Sequence, residues 1–133
     1  MILVDSSVWI DFFKGSNTDP VQILERLLQE EEDLSLADYI LTEVLQGFKK
    51  DTDFERARKY FLLFPIYSLS SPDSYIQAAR IYRLCRQRGI TIRNTMDCLI
   101  AQTALENDLV LLHDDSDFDR LAEVIPLATY IPA

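Results

Sequence analysis

The chain has 133 residues, 48% of them apolar, and 13 Lys and Arg against 22 Asp and Glu for a formal charge of −9. That length fits one domain over 1–133, and the apolar content with seven Phe and six Tyr argues against disorder. So acidic a balance repels polyanions at large, which disfavours DNA packaging or general RNA coating.

Ile2 to Val4 reads as a short buried strand whose exit carries Asp5, Ser6 and Ser7, with Val8 to Phe13 beginning a helix or turn. Lys14 to Asn17 breaks that pattern and Pro20 opens the next segment. There Ile23, Leu24, Leu27 and Leu28 recur at helical spacing. The acidic run Glu30 to Asp33 is a solvated connection, and Leu34 to Ala37 a second strand. Asp38 then serves as N-cap of a helix carrying Ile40, Leu41, Val44 and Leu45.

Asp53 to Phe61 reads as helical, and Leu62 to Leu69 as an apolar stretch, broken by Pro65, that holds a short strand or extended connection. Ser71 as N-cap and Pro72 at the first helical position start a helix to about Arg88, with Gly89 at its exit. Asn94 caps the next helix and puts Asp97 in its first turn. Leu109 to Leu112 is a later strand running into His113, Asp114 and Asp115. A short helix follows, stopped before Pro126, and Leu127 to Ile131 is a terminal strand.

Short apolar strands alternating with amphipathic helices give an α/β fold around a mostly parallel central sheet. Cys85 and Cys98 have neither a CxxC nor an extracellular spacing and read as reduced packing residues. The N-terminus has no basic segment before a long apolar run, and no apolar run of about 18 residues follows. A soluble, cytoplasmic chain is expected, with no membrane role.

Ligands in open α/β sheets gather outside the carboxyl ends of the strands. Asp5 and Asp115 follow two predicted strands. Glu43 lies one turn into a helix that follows a third, and Asp97 begins the helix before the last. Brought to one edge, these carboxylates repel one another unless a cation compensates them. Mg²⁺, which prefers oxygen ligands and keeps several waters, is the economical partner beside a phosphate. His113 is the only histidine and the cysteines lack zinc spacing, so structural zinc is not expected.

The blocks MILVDSSVWIDFF, LTEVLQGF, TMDCLIAQTAL and LLHDDSDF, in this order, make the chain resemble the PIN-domain ribonucleases, specifically the VapC-type toxins of toxin–antitoxin pairs. The resemblance spans nearly the whole chain and implies a three-layer PIN-like fold. It places Mg²⁺ or Mn²⁺ binding and catalysis on Asp5, Glu43, Asp97 and Asp115. Asp117 is kept as a further metal residue, a supporting group or a substitute for Asp115. It also implies an RNA substrate, hydrolysed by metal-activated water, together with a VapB-like antitoxin and a homodimer. His113 stands where the family often has threonine, which leaves a local hydrogen-bonding or substrate role open.

Ser6 and Ser7 are candidates to contact phosphate or orient the first carboxylate, since no histidine partner makes either a nucleophile. Arg80, Arg83 and Arg93 belong to a basic stretch suited to an RNA backbone, against the plainer reading of a solvated helix face. A calcium loop fails on spacing, because Arg120 stands where its turn glycine belongs. A phosphoacceptor domain would want a late lysine, yet none follows Lys59, and an aspartate-nucleophile phosphatase would want an acid at Ser7. The remaining alternative is a noncatalytic PIN-like RNA-binding or protein-interaction domain.

Overall fold

A computed structural model describes residues 1–130. In chain order they form β1 (Ile2–Val4), α1 (Ser6–Phe13), α2 (Asp19–Gln29), β2 (Leu34–Ala37), α3 (Asp38–Leu45), α4 (Asp51–Phe61), β3 (Ile66–Tyr67), α5 (Pro72–Gln87), α6 (Thr95–Glu106), β4 (Val110–Leu112) and α7 (Ser116–Val124). The strands make one four-stranded sheet in the order β3-β2-β1-β4, and every pairing is parallel. Helices pack in two sets, α1 to α4 and α5 to α7, so the parallel α/β expectation holds.

Strands buried on both sides have no polar alternation, and β2 shows this: Leu34, Ser35, Leu36 and Ala37 are all buried. Ser35 is tolerated there because its hydroxyl donates to the Ile2 carbonyl at 3.1 Å. Leu3 and Val4 of the central β1 are fully buried beside Leu111 and Leu112 of β4. Asp5 N–H donates to the Leu112 carbonyl at 2.9 Å, which locks the exits of these two strands together.

Trp9 holds α1 onto α4. Its ring meets Phe61 edge-on at 5.1 Å and also packs on Phe64 at 5.9 Å, with Phe12 edge-on at 5.6 Å. Each such pair is worth about 0.5–1.5 kcal/mol beyond the area it buries. On the other side, Ala78, Ile81 and Cys85 of α5 and Cys98 and Ala101 of α6 join the same core, and both cysteines are free thiols.

Helices α1 and α4 each begin two residues earlier than expected and β4 one residue later, and two further differences have a physical reason. Asp38 is the first residue of α3 rather than its cap: Ala37 holds the cap position without a side-chain bond, and Asp38 Oδ1 accepts from Tyr39 N–H at 2.9 Å. The sheet decides this boundary, because Ala37 still pairs with Tyr67 of β3. Of the expected strand Leu127 to Ile131, a single parallel bridge between Leu111 and Thr129 forms, and Ile131 lies outside the described residues. No described helix is long and apolar enough to cross a membrane.

Candidate metal centre

Parallel strands deliver their exits to one rim, and capped helices start there. Asp5 ends β1 and caps α1, Asp115 follows β4 and caps α7, and Asn94 caps α6 by accepting from Met96 N–H at 3.0 Å. The cap on α6 fixes Asp97 in the first turn, while α3 brings in Glu43 from the other helical set. A cleft of 350 Å³ results, lined by Asp5, Ser6, Ser7, Ile10, Glu43, Arg93, Asn94, Asp97, Asp115 and Asp117.

The first carboxylate is held tightly. Ser7 Oγ donates to Asp5 Oδ2 at 2.6 Å and Ser7 N–H donates to the same oxygen at 3.1 Å, while Ser7 Oγ accepts from Asp114 N–H at 3.1 Å. Asp5 is 3% exposed, and its Oδ1 is buried with no hydrogen-bond partner among the described residues. Glu43 Oε1 is likewise buried and unpartnered. Unpaired carboxylate oxygens inside a protein are costly unless a proton or a cation meets them.

The electrostatics follow from that crowding. Burial raises the Asp5 carboxyl above its usual range, against the hydrogen bonds from Ser7 that pull it down. Burial and then the Asp5 charge raise Glu43, with the Ser6 hydroxyl acting the other way. Asp97 is pushed up to about 7, first by burial and then by the charges of Asp115, Asp5, Asp117 and Glu43. Four neighbouring carboxylates acting on Asp97 mark it as the electrostatic focus of the cleft.

Asp117 is placed differently. It is 1% exposed, and both its oxygens are engaged: Oδ2 accepts from Arg93 N–H and Arg93 Nε, each at 3.3 Å, and Oδ1 lies 3.4 Å from Arg120 Nη1. Asp115 Oδ1 accepts from Asp117 N–H at 2.9 Å and sits 3.5 Å from Arg93 Nη2. Among the described residues no three Asp, Glu, His or Cys side chains converge closely enough to hold an ion as they stand. The cleft therefore gathers these acids without closing them on one point. Its donors are nonetheless hard oxygens, two of them buried and unsatisfied, which is the chemistry Mg²⁺ or Mn²⁺ fits and zinc does not.

Other candidate residues lie elsewhere. Arg80 is exposed on α5, and Arg83 lines a separate groove with Tyr75, Tyr82 and Thr95, so neither reaches the cleft. His113 packs on Phe118 at 5.2 Å, with Nδ1 accepting from Asp115 N–H at 3.2 Å and Nε2 3.5 Å from Asp119 Oδ1. Ile10 and Asn94 also line the cleft. Sequence reasoning treated Asn94 only as a helix cap, although its place three residues before Asp97 was a usable signal.

A parallel α/β fold with acids collected at the strand exits defines the PIN-like class. Residues 2–124 match the PIN domain family, and the chain belongs to it. Its likeness to VapC ribonucleases puts it on the VapC-type branch. It is 31% identical over 128 residues to Ribonuclease VapC11 of Mycobacterium tuberculosis, covering 96% of each chain. The FitAcB crystal structure from Neisseria gonorrhoeae superposes with a TM-score of 0.74 at 20% identity, over 98% of this chain and 97% of that one. A toxin–antitoxin complex from Klebsiella pneumoniae superposes with a TM-score of 0.67 at 22% identity, over 89% and 90%. At those identities the two structures speak for the fold.

Proposed function

We propose that the protein is a Mg²⁺- or Mn²⁺-dependent endoribonuclease, the toxin of a toxin–antitoxin pair acting in the cytoplasm. The observation that carries the reading is the sharing of one cleft by Asp5, Glu43, Asp97 and Asp115, two of them with buried oxygens that nothing satisfies. Membership of the VapC-type branch, with a curated relative named a ribonuclease, supports RNA as the polymer.

In this reading those four carboxylates hold the cation. Such an ion, when bound, supplies a Lewis acid for a phosphoryl oxygen and lowers the pKa of attacking water. The chain's own residues prepare the site. Ser7 orients Asp5 through its hydroxyl and backbone amide, and the Asn94 cap holds Asp97 on a rigid helix start. Hydrolysis adds water to phosphorus and releases the leaving oxygen with a proton, dividing the chain in two. Partners in this reading are a VapB-like antitoxin and a second copy of the chain. The neighbouring structure titled a toxin–antitoxin complex supports the former, and Tyr75 and Ile76, exposed on α5, support the latter.

Purified protein incubated with a mixed RNA pool in Mn²⁺, in Mg²⁺ and in EDTA, beside Asp97→Asn, tests the reading. Cleavage is expected in the metals and lost with chelator or in the variant. Cleavage that persists through both overturns it.

A further inference from the structure

Among the described residues the cleft is lined by five carboxylates and one basic side chain, that of Arg93. A phosphodiester approaching it brings another negative charge, so whichever cation is bound has help from one protein group only. Arg93 sits in the loop between α5 and α6, fixed on one side by buried Ile92 and on the other by the Asn94 cap. Its side chain is 71% exposed, but its Nε and backbone N–H both donate to Asp117 Oδ2. Among the described residues its terminal nitrogens reach nothing closer than Asp115 Oδ1, 3.5 Å from Nη2.

A surface ion pair is normally worth little, because both long side chains remain free. This one is not of that kind. Asp117 is fully inside and its charge requires compensation, which Arg93 and Arg120 provide from opposite oxygens. The partner that holds Arg93 is rigid, and it holds the guanidinium by one edge, leaving the other edge for a second bidentate contact. Both Asp117 oxygens are spent on arginine, while the unsatisfied oxygens of the cleft belong to Asp5 and Glu43.

We propose that Arg93 contacts the RNA phosphate at the mouth of the cleft, and that Asp117 is its positioning residue rather than a metal ligand. The proposal rests on the nuclease reading for its polymer. Arginine suits the task because its planar fork meets two phosphate oxygens at once, which lysine does not.

The test measures binding of a fluorescent single-stranded RNA oligonucleotide in Mn²⁺, across a salt series, for the full chain and for Arg93→Gln, Arg93→Lys and Asp117→Asn. Calorimetric Mn²⁺ titrations and cleavage assays run on the same proteins, with circular dichroism to show that each is folded. Arg93→Gln is expected to bind RNA about tenfold more weakly, with a salt slope lower by about 0.7 for the one phosphate lost. Arg93→Lys should keep the slope and lose affinity. Asp117→Asn should lose RNA affinity like Arg93→Gln yet still bind Mn²⁺, being no metal ligand. Unchanged RNA affinity and slope in Arg93→Gln would overturn the proposal. So would loss of Mn²⁺ binding in Asp117→Asn. RNA binding that depends on Arg93 without any cleavage would retire the nuclease reading and leave this one standing. A parent protein that binds no RNA would end both, and if Asp117→Asn does not fold, the Arg93 pair still decides.

Discussion

Ser7 Oγ lies 2.6 Å from Asp5 Oδ2, so one oxygen of the first carboxylate is pinned while Oδ1 remains buried and unpartnered. This asymmetry leaves one oxygen of Asp5 without a donor among the described residues, at a residue that lines the cleft. It also makes Ser7 the support on which that carboxylate depends.

Ser7→Ala should therefore weaken Mn²⁺ binding by about 10–100-fold, the usual cost of removing a support behind a ligand. RNA cleavage should fall with it. Calorimetric titration of Mn²⁺ measures the first effect, and an affinity equal to the parent's would refute the orienting role.

Metal-free stability should fall as pH rises through neutrality. Asp97 is raised from an ordinary 3.8 to about 7, so between those values the folded chain binds the proton more tightly than the unfolded chain does. Stability is then greatest at the acidic end of that window and declines until pH passes 7. Asp5 and Glu43 are raised in the same direction and add to the trend. Melting temperatures in EDTA at pH 5.5 and 8.0 check it, and Asp97→Asn, which cannot ionise, should show a shallower decline than the parent.

Divalent metal should reverse that decline. The cation binds deprotonated carboxylates, so Mn²⁺ should raise the melting temperature more at pH 8.0 than at pH 5.5. At a hundredfold excess over Kd the gain is about 2.7 kcal/mol. Thermal shift with Mn²⁺, Mg²⁺ and EDTA reads this directly, and equal shifts at both pH values would count against carboxylate ligation.

Asn94→Ala removes the cap of α6 and should cost about 1 kcal/mol of stability, whereas Asn94→Asp restores the cap bond to Met96 N–H. The aspartate also adds a charge to the cleft, so RNA affinity should drop in Asn94→Asp although its denaturation midpoint stays near the parent's. Urea unfolding beside RNA binding separates the two effects.

Much of this arrangement was legible from local pattern. Asp5 behind Ile2 to Val4, Ser71 before Pro72 and Asn94 three residues before Asp97 are close in the chain, and their meaning follows from strand exits and helix caps. Less legible were features that join distant residues. Arg93 and Asp117 are 24 positions apart, and nothing in their spacing predicts that one carboxylate holds the other's backbone and side chain. Trp9 gathers rings from α1 and α4 through tertiary packing, which no periodicity encodes. The start of α3 escaped because Asp38 has the chemistry of a cap, while sheet pairing gave that place to Ala37.

The strand order has a consequence for when the acidic cleft can assemble. β1, the first of these strands in chain order, lies between β2 and β4, and its second neighbour is more than a hundred residues away in the chain. Contacts so remote carry a larger loop-closure entropy, which slows the folding of such topologies. A growing polypeptide that ends before Val110 has neither the strand that closes this edge nor the Asp115 that follows it, so the acidic cleft is incomplete until both have been made. A chain cut short before Val110 therefore carries Asp5, Glu43 and Asp97 without the sheet edge that completes their cleft.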